Sequence, residues 1–239
     1  MPYRFEQERR DYTDLSAGRV LRGLPGATAF PVRLASELVQ RALSHADRVH
    51  AVLYDPCCGC GYLLTAIGFL HGARLQGLVG SDINGEAVSL CEQNLALLEP
   101  AGLEARIEKL TADIAAFGKD AHREARASAE RLRTSLPPRR LTRLTFVADA
   151  GDPHAIEAGL RGLVPDIVIG DLPYGRASGW SGASSAGSSD LLASLAKALP
   201  SGTIVALATS KLDRPASDCY ERLERWQVGR RALSILRLR

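Results

Sequence analysis

Four short apolar runs in this chain each lead into an aspartate, and each is followed by a turn and a helical pattern. The runs are 51–54 before Asp55, 77–81 before Asp82, 144–148 before Asp149, and 166–170 before Asp171. Apolar runs of this length without polar alternation fit strands buried on both faces, as in a parallel sheet. Parallel neighbours need a crossover, usually a helix. Helical patterns duly lie at 62–71, 85–98, 153–160 and 189–199. Asn84 is placed to cap the second of these. A further helix over 30–46 carries Val32, Leu34, Ala35, Leu38, Val39, Ala42 and Leu43 on one stripe, with Arg33, Glu37, Gln40 and Arg41 elsewhere. Residues 203–209 read as another strand, and 220–239 hold two strand-like runs around Gln227-Val228-Gly229 that fit an antiparallel pair at a sheet edge. The expected fold is α/β: a doubly wound, mostly parallel seven-stranded sheet with helices on both faces.

Three segments depart from this rhythm. Residues 1–29 are polar and glycine-punctuated, and are expected to form an irregular arm. Residues 110–138 have helical composition and end at Pro137-Pro138, as a helical insertion would. Residues 176–189 are rich in Gly, Ser and Ala around Trp180, and read as a flexible loop over an active site. None carries enough apolar surface for a separate domain, so the 239 residues are expected to form one. The longest apolar stretches are strand-sized, too short for a bilayer. The start, Met1-Pro2-Tyr3-Arg4-Phe5-Glu6, lacks the apolar region of a signal peptide. A cytoplasmic monomer without membrane association is expected.

The cysteines are odd in number, and Cys57, Cys58 and Cys60 crowd one short loop, which favours reduced thiols over a disulfide framework. A tetrahedral metal site would need a second ligand pair that the isolated Cys91 and Cys219 do not provide, so no metal is expected. The net charge of +3 points only weakly to a polyanion. Arg far outnumbers Lys, which suits phosphate recognition, although a GC-rich coding sequence gives the same bias.

The most informative loop is Asp55-Pro56-Cys57-Cys58-Gly59-Cys60-Gly61, between a buried strand and a helix. Glycines there let the backbone approach a ligand, and the amides opening the next helix attract an anionic group. A dinucleotide loop would want a third Gly three residues after Gly61, where this chain has Leu64. Asp82, ending the next strand, can accept from ribose hydroxyls, though Asp before Asn also commonly starts a helix. Asp149 ends a third strand and could accept from an adenine amine; Asp149-Ala150-Gly151-Asp152-Pro153 could equally be a turn. Asp171-Leu172-Pro173-Tyr174-Gly175 follows a fourth strand. Ligands in such sheets bind beyond the carboxyl ends of the strands. There the Asp171 carboxylate and the Leu172 carbonyl could hold the hydrogens of a planar amine, and Tyr174 could stack on a base. On its own the segment is simply a turn.

Together these residues carry a resemblance. The first loop resembles the Asp-Pro-x-Cys-Gly-x-Gly motif of the S-adenosylmethionine-dependent Rossmann-like nucleic-acid amino-methyltransferases. Asp171 to Tyr174 resembles their (Asn/Asp)-Pro-Pro-(Tyr/Phe) catalytic motif. The resemblance spans about 51–209, and the whole chain is similar to the avilamycin-resistance ribosomal RNA guanine methyltransferases of antibiotic producers. It implies S-adenosylmethionine as cofactor, and methylation of the exocyclic amine of a guanine in 23S ribosomal RNA or the large ribosomal subunit. It also implies that Asp55, Cys57, Gly59, Gly61, Asp82, Asn84, Asp149 and Ala150 hold the cofactor, and that Asp171, Leu172, Pro173 and Tyr174 engage the base. Leu172 replaces the first Pro of the motif, and Cys60 and Tyr62 replace small hydroxyl residues of the loop.

Arg139, Arg140 and Arg143, with Arg131 and Arg133 nearby, are candidates for phosphate contact, or else form a solvated face. Other outcomes stay open: an adenine amino-methyltransferase of RNA or DNA, a protein glutamine methyltransferase, a nicotinamide-dependent oxidoreductase, or a non-catalytic cofactor-binding subunit.

Overall fold

The computed structural model describes residues 3–15, 18–25, 29–172 and 188–239. Seven strands form one sheet: β1 (Ala51–Asp55), β2 (Leu75–Asp82), β3 (Thr142–Val147), β4 (Ile167–Asp171), β5 (Ile204–Ser210), β6 (Tyr220–Val228) and β7 (Arg231–Leu238). Their order is β3-β2-β1-β4-β5-β7-β6, parallel from β3 to β5. The last hairpin is antiparallel, as expected, and turns at Gly229 with φ 57°. The order reverses between β1 and β4, so their carboxyl ends splay apart and leave a crevice.

The seven α-helices of the described residues are α1 (Val32–His45), α2 (Tyr62–His71), α3 (Gly85–Ala96), α4 (Pro100–Phe117), α5 (Asp120–Leu132), α6 (Pro153–Leu160) and α7 (Ser188–Ala198). Strand alternation divides the core. Ala51, Leu53, Ile167, Ile169, Leu233 and Ile235 pack with α1 to α5, whereas Val52, Tyr54, Val168, Val205 and Leu207 pack with α6 and α7. No helix of the described residues is long and apolar enough to cross a membrane.

One expectation shifts. The helical segment expected over 110–138 begins at Pro100 and is a hairpin of α4 and α5. Pro100 takes the first helical turn, where its missing N–H costs nothing, and Gly118, in the left-handed region at φ 61°, ends α4. Gly102 lies so close to the Ala96 carbonyl that a Cβ there would overlap it, which fixes the corner between α3 and α4.

The described residues of the arm are irregular apart from a 3-10 turn at Thr13–Leu15, and some of them are built into the core. Leu15, Val20 and Leu21 are buried. The polar side of α1 faces this arm: Glu37, fully buried, accepts the backbone amides of Arg4, Phe5 and Glu6 at 2.7, 2.8 and 2.9 Å and Arg41 Nε at 2.6 Å. Burial works against its charge, but these donors hold the carboxyl below its ordinary range.

Candidate active site

Residues 56–61 leave β1 and cross the carboxyl end of β2. Cys58 N donates to Ser81 O at 2.9 Å, and Gly59 N donates to Asp82 Oδ2 at 2.9 Å. Asp82 Oδ1 accepts Asn84 N at 3.0 Å. Asp82 thus clamps the glycine loop, and the further lone pairs of its oxygens remain for a ligand's hydroxyls. Gly61 starts α2 with φ 71°, and a Cβ there would collide with Cys91 Sγ. No side chain caps α2, so its first amides face the crevice as an anion cradle.

Asp55 is 2% exposed, and its Oδ1 accepts Cys57 N at 3.0 Å. Burial, opposed by that amide and reinforced by the charges of Asp82 and Asp171, pushes its carboxyl up to about 8. Burial and the charges of Asp55, Asp82 and Asp149 also raise the Cys57 thiol well above its ordinary value. These influences come from carboxylates at the ends of four strands, Asp55, Asp82, Asp149 and Asp171, which lie near the glycine loop. Cys58 and Cys91 are buried side by side against Gly80, where a Cβ would meet both sulfurs; they act as small packing groups.

The other expected site residues divide. Asn84 caps α3, its Oδ1 accepting Glu86 N at 2.9 Å and Ala87 N at 3.2 Å, so that oxygen is committed to the helix. Asp149 Oδ1 accepts Gly151 N at 2.8 Å, which makes the local turn and keeps the carboxylate at the end of β3. Ala150 is buried on the α6–α7 side. Asp171 is the last residue of β4, and Leu172 is buried with its amide donating to Ala208 O at 3.0 Å. Pro173 and Tyr174, and residues 176–187 of the expected loop, lie outside the described residues.

Arg139, Arg140 and Arg143 lie at the other end of the sheet. Arg143 is the second residue of β3, five residues before Ala148 just past the strand's end, or roughly 17 Å from the crevice. Arg140 Nε and an Arg143 terminal nitrogen both stand 2.9 Å from Glu99 Oε1. Arg131 and Arg133 pair with Asp14 and Glu104.

Sequence reasoning missed three groups. Asn94, fully buried on α3, donates to Arg22 O and Cys60 O and accepts Arg22 N, each at 2.8 Å, which binds the arm to the glycine loop. Tyr62 adds a hydroxyl bond to Leu15 O at 2.6 Å, so the arm is a wall of the site. Arg231, the first residue of β7, pairs with Asp171. Its signal was a cation heading a buried apolar run, 232–236.

A pH prediction follows from Asp55. Its carboxyl releases a proton near 3.8 when unfolded and near 8 when folded, so across that window the folded state holds the extra proton. Its contribution to stability therefore declines as pH rises from about 4 to about 8. In thermal unfolding of the ligand-free protein, Asp55→Asn should gain several degrees on the wild type between about pH 5 and pH 8.5. An unchanged difference between the two proteins would show that Asp55 ionises normally.

The cradle at α2, the Asp82 acceptor and the open space beside Gly59, where a Cβ would touch nothing within 4 Å, fit an amino-acid carboxylate joined to a nucleoside. Comparisons with known proteins agree. The family model described as rRNA methyltransferase AviRa matches residues 1–231. The chain is 42% identical over 239 residues to the 23S rRNA (guanine(2535)-N(1))-methyltransferase of Streptomyces viridochromogenes, covering 98% of this chain and 95% of that protein. A solved structure of the rRNA methyltransferase aviRa from the same organism superposes with a TM-score of 0.88 at 40% identity, over 99% of this chain and 96% of that one. TrmN from Thermus thermophilus, at 16% identity and a TM-score of 0.51 over 88% of this chain and 50% of that one, shares the fold. The chain therefore belongs to the AviRa family of S-adenosylmethionine-dependent rRNA methyltransferases.

Proposed function

We propose that the protein transfers a methyl group from S-adenosylmethionine to N1 of a guanine in 23S ribosomal RNA. The Streptomyces relative is named for that ring nitrogen, whereas the motif resemblance implies the exocyclic amine. The observation that carries the proposal is the placement of Asp171, a partly buried carboxylate at the end of β4, near Asp55 at the start of the glycine loop.

When bound, S-adenosylmethionine supplies a methyl group on a sulfonium, and its transfer leaves the electron pair of the broken bond on sulfur. The amides opening α2 would receive its carboxylate, and Asp82, held by Gly59 and Asn84, would accept from its ribose hydroxyls. Guanine N1 carries a proton and belongs to a lactam, so its lone pair becomes nucleophilic only as that proton leaves. Asp171 accepts the proton. Burial raises its proton affinity, which suits a base, while the Arg231 charge opposes that rise and keeps the carboxylate available. Orientation supplies most of the remaining rate, since the methyl group arrives already activated. Its proposed consequence for the cell is resistance to an antibiotic that binds the large subunit, as the sequence resemblance implies.

Arg139, Arg140 and Arg143, at the far end of the sheet, are proposed to hold phosphates of the RNA distant from the target nucleotide. Incubation of labelled cofactor with unmodified large subunits and with naked 23S RNA should place label in that RNA, falling steeply with salt. Replacing the three arginines by Gln should reduce the log–log salt slope by about 1 for each phosphate no longer neutralised, with the rate at saturating RNA unchanged. A wild-type slope would remove them from the interface, and label in protein instead of RNA would overturn the proposed substrate.

A further inference from the structure

We propose that Arg231 and Asp171 form a donor–acceptor pair that reads the O6/N1–H edge of the target guanine, so that Arg231 takes part in both base selection and proton removal. This rests on the guanine-N1 function proposed above. Asp171 is paired with Ala208 on β5, Ser210 is two residues further along the same face, and Arg231 is paired with Ser210. Asp171 and Arg231 therefore project from the same face of the sheet, with β5 between them. The small Ala208 leaves room for the arginine to reach across. Its guanidinium lies over the Phe30 ring, 5.1 Å from the centroid, just before α1.

The pair is close but not closed. Arg231 Nε stands 3.5 Å from Asp171 Oδ1, beyond the roughly 2.7–3.2 Å of an N–H···O bond. Asp171 Oδ1 is buried and has no hydrogen-bond partner among the described residues. A buried acceptor in that condition is costly unless a ligand completes it. The groups facing it are Arg231 from β7, which lowers its proton affinity by charge and by hydrogen bonding at this long distance, and, by charge, Asp55 from β1.

A guanine drawn into the crevice presents N1–H beside the O6 acceptor. N1–H meets Asp171, and O6 meets the guanidinium, which has five N–H donors. As N1 loses its proton to Asp171, negative charge spreads onto O6, beside the arginine. The lone pair left on N1 then forms the bond to the methyl carbon. Adenine presents the opposite order, a donor amine at position 6 and a bare acceptor at N1. In the same register its amine would face the arginine and its N1 lone pair would face the carboxylate. The pair thus favours guanine by its order of charges.

The test is single-turnover methyl transfer to 23S RNA, at saturating cofactor, from about pH 6 to pH 10. Arg231→Gln should be roughly 10–100-fold slower than wild type near pH 7.5, the range for one specific base interaction. The deficit should shrink toward high pH, where guanine N1 ionises unaided, and Arg231→Lys should recover most of the rate. Cofactor affinity should stay within a few-fold for both variants. A wild-type rate for Arg231→Gln, or a deficit equal at every pH, would overturn the inference while leaving guanine methylation intact. Absence of methyl transfer to RNA by the wild type would instead overturn the function on which it rests.

Discussion

Replacing Asp171 by Ala is expected to slow methyl transfer by roughly two to three orders of magnitude, the cost of removing one preorganised electrostatic partner from a reacting centre. Cofactor affinity should stay within a few-fold, because the loop and α2 cradle that hold the cofactor are built from β1, β2 and their turns rather than from β4. Asp171→Asn then distinguishes the two target atoms. An exocyclic amine needs only an acceptor, which the Asn carbonyl supplies, so the loss would be mild. Guanine N1 must surrender a proton, which Asn cannot take, so Asn should be nearly as slow as Ala. Single-turnover rates at saturating RNA measure this without interference from product release. A wild-type rate for Asp171→Ala would mean that the end of β4 is only a turn.

The second large effect concerns folding. Glu37→Ala should cost about 3–5 kcal/mol, the range for removing one partner of a buried charged pair. The carboxylate accepts three arm amides and Arg41, so its loss strands several donors at once. Arg41 keeps its bond to Glu224 Oε2 at 2.6 Å and its place over Trp226, which limits the damage to the arm side. Glu37→Gln, which can still accept, should lose less. Urea unfolding of the two variants would check this, and a Glu37→Ala midpoint equal to wild type would show that the arm is held by its apolar residues alone.

The sheet was legible because its signal is local. Apolar runs ending in Asp55, Asp82, Asp149 and Asp171 define strands and their expected ligand-facing ends together, and the hairpin around Gly229 follows from one glycine between two strand-like runs. Segment limits were less legible where one residue type has two uses. Pro100 reads as a breaker yet starts α4, and Gly118 divides what composition presents as one helical stretch. How the arm is anchored was not legible, because its anchors are long-range. Glu37 lies 31 residues or more from the amides that it accepts, and Asn94 lies 72 from Arg22. The arginines drew attention by number, but Glu99 holds two of them far from the crevice. Arg231 went unremarked because only strand register brings it to Asp171.

The central claim is the transfer of a methyl group to guanine N1 in 23S RNA, and the identity of the product nucleoside tests it most directly. Unmodified large subunits or 23S RNA would be incubated with the protein and methyl-labelled cofactor, digested to nucleosides and resolved by mass spectrometry. The account predicts that the label appears as 1-methylguanosine and is absent with Asp171→Ala. Label in N2-methylguanosine or in a methylated adenosine would contradict it.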